Sequence, residues 1–189
     1  GMTVIDVGAN IGEISLVCAN RVGPSGCVIA IEPIAGIADQ LQRNVQINGL
    51  QETVQVHRQG LAAQAGQLPI YASCGQTDGV EFNQGLGSLY GNASVDRCVG
   101  VADITTLEDV AHRVGLTRLD LLKIDIEGFE DRVLIGFFAE APQALWPRAV
   151  VIEHLSRNQW LKDCIADMLA RGYAQRGRTR SNTLLVRGA

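Results

Sequence analysis

The first apolar run of the chain closes on Asp6-Val7-Gly8-Ala9-Asn10-Ile11-Gly12, and a stretch of helical spacing begins at Glu13. Gly8 and Gly12 allow a sharp backbone turn and close approach of a ligand, and the helix start beyond them offers unpaired N–H groups. The spacing is Gly-x-x-x-Gly with an acid two places earlier. It is not the Gly-x-Gly-x-x-Gly of dinucleotide sites, and no Gly-Lys-Ser/Thr follows to grip a phosphate. An acid at such a turn, here Asp6, suits a cation such as an ammonium or a sulfonium. The second run ends in Ile31-Glu32-Pro33, where a carboxylate can accept hydrogen bonds from vicinal hydroxyls, as at ribose sites. One acid for an amine and one for a diol is the pairing that S-adenosyl-L-methionine requires. An NAD-dependent oxidoreductase shares the second-strand acid and is disfavoured by the glycine spacing. Asn10 within the first turn, and Gly60 and Leu61 beyond the third run, complete the expected cofactor set.

The fourth run delivers Lys123-Ile124-Asp125-Ile126-Glu127-Gly128-Phe129-Glu130, and the fifth ends in Ile152-Glu153-His154. Ligands of open α/β folds bind at such carboxyl edges. Asp125 could orient the methionine end of the cofactor or take a proton. Glu127 and His154 are the other candidates for general base or substrate contact. A carboxylate at Glu127 or Glu130 also favours the start of a helix through its dipole. His57 and His112 lack such a setting. No His/Cys group has zinc spacing, so no metal site is expected; a divalent metal held by Asp125 and neighbouring acids, acidifying a hydroxyl, is the alternative to a side-chain base. Cys18, Cys27, Cys74, Cys98 and Cys164 include no Cys-x-x-Cys pair and read as reduced packing residues of a cytoplasmic protein.

The elements that position these residues follow from hydrophobic periodicity. Runs 4–7, 28–31, 54–57, 119–124 and 149–152 are too apolar for half-exposed strands and predict a buried parallel sheet. Helical stripes lie between them: Ile37, Leu41, Val45, then Phe129, Val133, Phe137, then Leu161, Ile165, Met168, Leu169. Runs 173–178 and 183–187, separated by a few polar residues, predict a closing antiparallel hairpin. The interval 62–104 breaks the rhythm with Gly66, Gly75, Gly79, Gly85, Gly87 and Gly91, and shows weak strand signals only at 68–72 and 98–101. It reads as an insert, either a lid or substrate loop or a disordered or decorative excursion, in one domain spanning 1–189.

The chain has 189 residues, 47% of them hydrophobic and 19% charged, enough for a sizeable core. No apolar run approaches the roughly 20 residues of a membrane span. The net charge of -4 argues against a nucleic-acid footprint, and no Asn/Asp-Pro-Pro-Tyr/Phe follows the fourth run to methylate a base. The charge is uneven: residues 171–189 hold five arginines and no acid, so +5 sits there and -9 elsewhere. That tail is either a solvated hairpin or a patch for an acidic substrate or partner.

Taken together, these segments resemble the FkbM-type family of S-adenosylmethionine-dependent methyltransferases. The matching residues are Val4-Ile5-Asp6-Val7-Gly8-Ala9-Asn10-Ile11-Gly12, Ile31-Glu32-Pro33, residues 44–48, Thr106-Leu107-Glu108-Asp109 and, most specific, Leu121-Leu122-Lys123-Ile124-Asp125-Ile126-Glu127-Gly128-Phe129-Glu130. The resemblance implies an α/β, Rossmann-like doubly wound sheet of seven strands in the order 3-2-1-4-5-7-6, with strand 7 antiparallel. It implies S-adenosyl-L-methionine as cofactor and methylation of a hydroxyl on a small-molecule or carbohydrate acceptor of natural-product type. A cofactor-binding module without turnover is the non-enzymatic alternative. The chain opens at the first strand, without the helical segment usual before it in the family, so an unusually open pocket is expected.

Overall fold

Isoleucine and valine on both faces of β1 (Thr3–Val7) and β2 (Cys27–Ile31) place these strands inside a sheet. The computed structural model describes residues 1–73, 87–88 and 96–188. Cys74, Gly75, Gly79, Gly85 and Gly91 of the glycine-rich interval lie outside the described residues.

The main sheet adds β3 (Val54–His57), β8 (Leu121–Ile124), β9 (Ala149–Glu153), β10 (Tyr173–Arg178) and β11 (Asn182–Arg187) in the order β10-β11-β9-β8-β1-β2-β3. Counted within this sheet alone, the order is 3-2-1-4-5-7-6, and β11 runs antiparallel to both neighbours. Chain numbering runs higher because a second sheet intervenes: β4 (Gly60–Leu61), β5 (Gly66–Ser73), β6 (Gly87–Ser88) and β7 (Asp96–Thr105), in the order β4-β7-β5-β6. The interval expected to be a loop is therefore built around the long antiparallel pair β5 and β7, bulged between Ile70 and Tyr71. Its strand signal was weak because little of it enters the main core. Ile70, Ala102 and Ile104 form a small cluster of their own against Ile34, Ala62 and Leu68.

Helices α1 (Glu13–Val22) and α2 (Ala35–Ile47) cover one face of the main sheet, over Val4, Val28 and Ala30. Helices α3 (Leu107–Arg113), α4 (Glu130–Glu140) and α5 (Cys164–Ala170) cover the other, over Ile5, Ile29, Leu122, Val150 and Leu185. Thr106 caps α3 by accepting the Asp109 N–H at 3.0 Å. Among the described residues, no helix is long and apolar enough to cross a membrane.

The third helical stripe needs correction at its start. Asp163 caps α5 by accepting the Ala166 N–H at 3.1 Å, so Leu161 lies outside the helix and is 82% exposed. Helical periodicity continued past a boundary that the capping carboxylate sets. Leu122→Ala, at a site sealed on both faces, is expected to cost about 2–5 kcal/mol, whereas Leu161→Ser should stay within about 0.5 kcal/mol of the parent; urea denaturation of the two variants checks both.

Candidate functional site

A cavity of about 660 Å³ opens at the carboxyl edge of the parallel strands, in the size range of small-molecule sites. The turn after β1 supplies Gly8 and Asn10, the end of β2 supplies Glu32 and Pro33, and the end of β8 supplies Lys123, Asp125 and Glu127. Gln59, Gly60, Leu61 and Ile70 add a wall at the junction of the two sheets.

The β1 turn is dictated by backbone geometry. Gly8 has φ +73°, and a Cβ there would stand 1.9 Å from the Asp125 carbonyl oxygen, so only glycine lets the β1 and β8 loops meet. Gly12, at φ +98°, is buried against Leu41, whose Cδ1 would lie 2.4 Å from an added Cβ. It is not on the cavity wall, and its task is helix packing rather than the ligand approach expected of it. Asn10 also takes a positive φ, 51°, and its Oδ1 accepts the Ile11 N–H at 2.7 Å, a local bond that suits asparagine to this conformation.

Glu32 is buried, and each of its carboxylate oxygens takes one backbone amide: Asn10 N–H at 3.0 Å and Ile34 N–H at 2.9 Å. Burial pushes its carboxyl above the ordinary range, against the pull of those two amides. Four lone-pair sites less two leaves capacity for a diol.

Asp6 does not reach the cavity, contrary to the expectation that it holds an amine there. It is 0% exposed, accepts the Ser15 hydroxyl at 2.6 Å and pairs with Lys123 Nζ at 3.3 Å. Parallel pairing sets Asp6 directly beside Lys123, so its charge is paired beneath the floor. Lys123 Nζ also donates to the Gly8 carbonyl at 3.0 Å and lies 3.8 Å from Asp125 Oδ2. Lys123 is thus the cavity residue that side-chain chemistry alone overlooked; the available signal was a lysine inside an otherwise apolar strand next to the strand carrying Asp6.

His154 is also displaced from its expected role as base. Its ring Nδ1 meets Thr183 Oγ1 at 3.0 Å and its N–H donates to the Ser181 carbonyl at 2.8 Å, so it anchors the β10–β11 hairpin and is absent from the cavity wall. Glu130, fully buried, accepts from Ile126 N–H at 2.8 Å, Gly128 N–H at 3.1 Å and the Trp160 indole at 2.7 Å, so it shapes the β8 loop rather than merely favouring a helix dipole.

Asp125 and Glu127 line the wall, as do Glu13 and Glu32. Asp125 keeps 36% of its side chain exposed. Glu127 sits at the mouth with φ +53°. Packing around its carboxyl, reinforced by repulsion from Asp125, Glu153 and Glu130 and eased by the Ser156 hydroxyl, holds it above the ordinary value of 4.5. A carboxylate raised in this way, beside a second acid, is suited to proton transfer.

The pattern that defines the Methyltransferase FkbM domain matches residues 6–173. The chain belongs to the FkbM methyltransferase family. It is 31% identical over 171 residues to Methyltransferase sdnD of Sordaria araneosa, across 79% of this chain and 65% of that protein. It is 30% identical to the AMB antimetabolite synthetase AmbE of Pseudomonas aeruginosa, across 89% of this chain and 9% of that protein. The chain thus spans less than two thirds of the length of either relative. The O-methyltransferase TomG of Streptomyces achromogenes, solved in complex with S-adenosylmethionine, superposes with a TM-score of 0.52 at 15% identity, over 98% of this chain and 73% of TomG, a likeness of fold. S-adenosyl-L-methionine is the cofactor of this family and fold. The residues present fit it: Glu32 retains acceptor capacity for a ribose, Asp125 offers a carboxylate to an ammonium, and Leu61 and Ile70 offer an apolar wall to a flat ring. Membership of a methyltransferase family sets aside the oxidoreductase reading.

Lys123→Met removes the countercharge of a fully buried carboxylate and is expected to destabilise the fold by about 3–5 kcal/mol. Adding Asp6→Asn should restore part of that loss, and a urea-denaturation double-mutant cycle over the two positions measures the coupling.

Proposed function

We propose that this chain is an S-adenosylmethionine-dependent O-methyltransferase acting on a hydroxyl of a small-molecule or carbohydrate acceptor. The observation that carries the reading is the pair Asp125 and Glu127 on a cavity whose neighbouring strand end bears Glu32. S-adenosyl-L-methionine supplies, when bound, a methyl group activated by a sulfonium.

In this reading the chain's own residues divide the work. Glu32 holds ribose hydroxyls through the lone pairs that Asn10 and Ile34 leave unused. Asp125, beside Lys123, engages the ammonium of the methionine end. Gly60, Leu61 and Pro33 bound the space for the base and sugar. Glu127 accepts the acceptor's hydroxyl proton as the new carbon–oxygen bond forms, because an aliphatic alcohol is too weak an acid to lose it beforehand. Most of the acceleration comes from holding the acceptor in line, which is worth ~7–11 kcal/mol in well-oriented systems. Glu127 fits the base role better than His154, whose ring is engaged by Thr183.

Isothermal calorimetry should show saturable binding of S-adenosylmethionine and S-adenosylhomocysteine and none of NADH; the reverse pattern would sink the proposal. With an acceptor found by screening glycosides and polyketide alcohols, Glu127→Gln should lower kcat/KM by about 10²–10⁴-fold while leaving S-adenosylhomocysteine affinity nearly unchanged. The base must be unprotonated, so the parent's rate should rise with pH through a value above 4.5 and then level off, and Glu127→Gln should abolish that rising limb. A pH–rate profile of both proteins checks the sign.

A further inference from the structure

The cofactor site makes no use of the arginines near the end of the chain. Because β11 is antiparallel to β9, with Asn182 opposite Glu153, the turn before β11 emerges at the carboxyl edge of the parallel strands, and Asn182 itself lines the cavity. The turn is firmly held. Thr179 N–H donates to the Asn182 carbonyl at 2.8 Å, Thr179 Oγ1 accepts the Asn182 N–H at 2.9 Å, and His154 N–H donates to the Ser181 carbonyl at 2.8 Å.

Arg178 and Arg180 flank this rigid tip, with Arg176 at the bulge behind, and all three are exposed. Among the described residues none of the three side chains has a hydrogen bond or ion pair. Apart from Arg21, every other arginine whose side chain is described does, to a carboxylate, an amide or a backbone carbonyl. The stretch 171–189 holds no acid that could pair with them. Guanidinium groups on a fixed tip match the geometry of phosphate and carboxylate oxygens. The cavity that Asn182 lines also carries Asp125 and Glu127. A molecule with one anionic group is therefore repelled by the interior and attracted by the rim, which points its neutral end inward.

We propose that Arg178 and Arg180 form a rim site for an anionic group, phosphate or carboxylate, of the acceptor, and that this site turns the acceptor's hydroxyl toward Glu127. The proposal rests on the methyl-transfer reading above and gives its acceptor a chemical class.

The test titrates the full chain with glucose 6-phosphate, glucuronate and glucose, with and without S-adenosylhomocysteine, by calorimetry and by the NMR shifts of the arginine Nε–H signals. Saturable binding of a charged sugar, shifting the Arg178 and Arg180 signals, is expected, with glucose weaker by about tenfold or more. The two charged sugars separate a phosphate site from a carboxylate site. Arg178→Ala with Arg180→Ala should lose the charged-sugar preference and keep S-adenosylhomocysteine affinity. Arg21→Ala, at the far end of α1, should change neither. Equal binding of glucose and the charged sugars, an unchanged preference in the double variant, or no binding of either charged sugar overturns the proposal. Failure of S-adenosylhomocysteine to bind the parent protein overturns the cofactor reading instead, and the sugar titrations without it are still read.

Discussion

A carboxylate with no solvent contact, Asp6, and the ammonium of Lys123 meet across the central strands β1 and β8. Neither charge could be buried alone, because the desolvation of each is offset only by the other and by the hydrogen bonds around them. Ser15 satisfies Asp6 from the first turn of α1, and Gly8 satisfies Lys123 from the turn between. One ion pair thereby ties a strand, its neighbour, the glycine turn and the following helix into one arrangement. The close approach of Gly8 to the Asp125 carbonyl follows from that arrangement and excludes any side chain at Gly8.

The other acids extend the same device to the loops around the cavity. Glu32 gathers the N–H groups of Asn10 and Ile34, Glu130 those of Ile126 and Gly128, Asp131 those of Leu161 and Lys162, and Glu153 those of Leu155 and Ser156. Loops at strand ends carry backbone donors that no ladder satisfies, and a buried carboxylate can take two of them. Most acids near the edge are therefore scaffold. Asp125 and Glu127, at the end of β8, line the cavity together with Glu32. The raised carboxyl of Glu127 is a consequence, since scaffold acids Glu130 and Glu153 stand close enough to oppose its ionisation.

The second sheet serves the site by placement. β4 carries Gly60 and Leu61 from the end of β3 to the edge of β7, and Ile70 of β5 closes the same wall. Leu61 belongs to the main core while Ile70 belongs to the small cluster beside it, so the cavity wall lies where the two apolar clusters meet.

The buried strands, their parallel order and the closing hairpin were legible in the sequence, because continuous β-branched runs between helical stripes admit few other arrangements. So was the placement of Glu32, Asp125 and Glu127 on one cavity, since acids at the ends of such runs fall at one sheet edge whatever the details. Side-chain type could not say which acids face the cavity. Asp6 and His154 have the chemistry of site residues, yet Lys123 and Thr183 claim them, and those partners come from elements 117 and 29 positions away, beyond any local pattern. The second sheet was missed for a related reason: its long strands pair mostly with each other, and a half-exposed pair lacks the apolar run that marks a central strand. Sequence by itself determined the strands of the main sheet and the helices between them, since periodicity and backbone stereochemistry act locally. Tertiary structure alone decided which charges are spent holding the fold and which are left for chemistry, because the cost of burying a charge depends on the partner that folding brings to it.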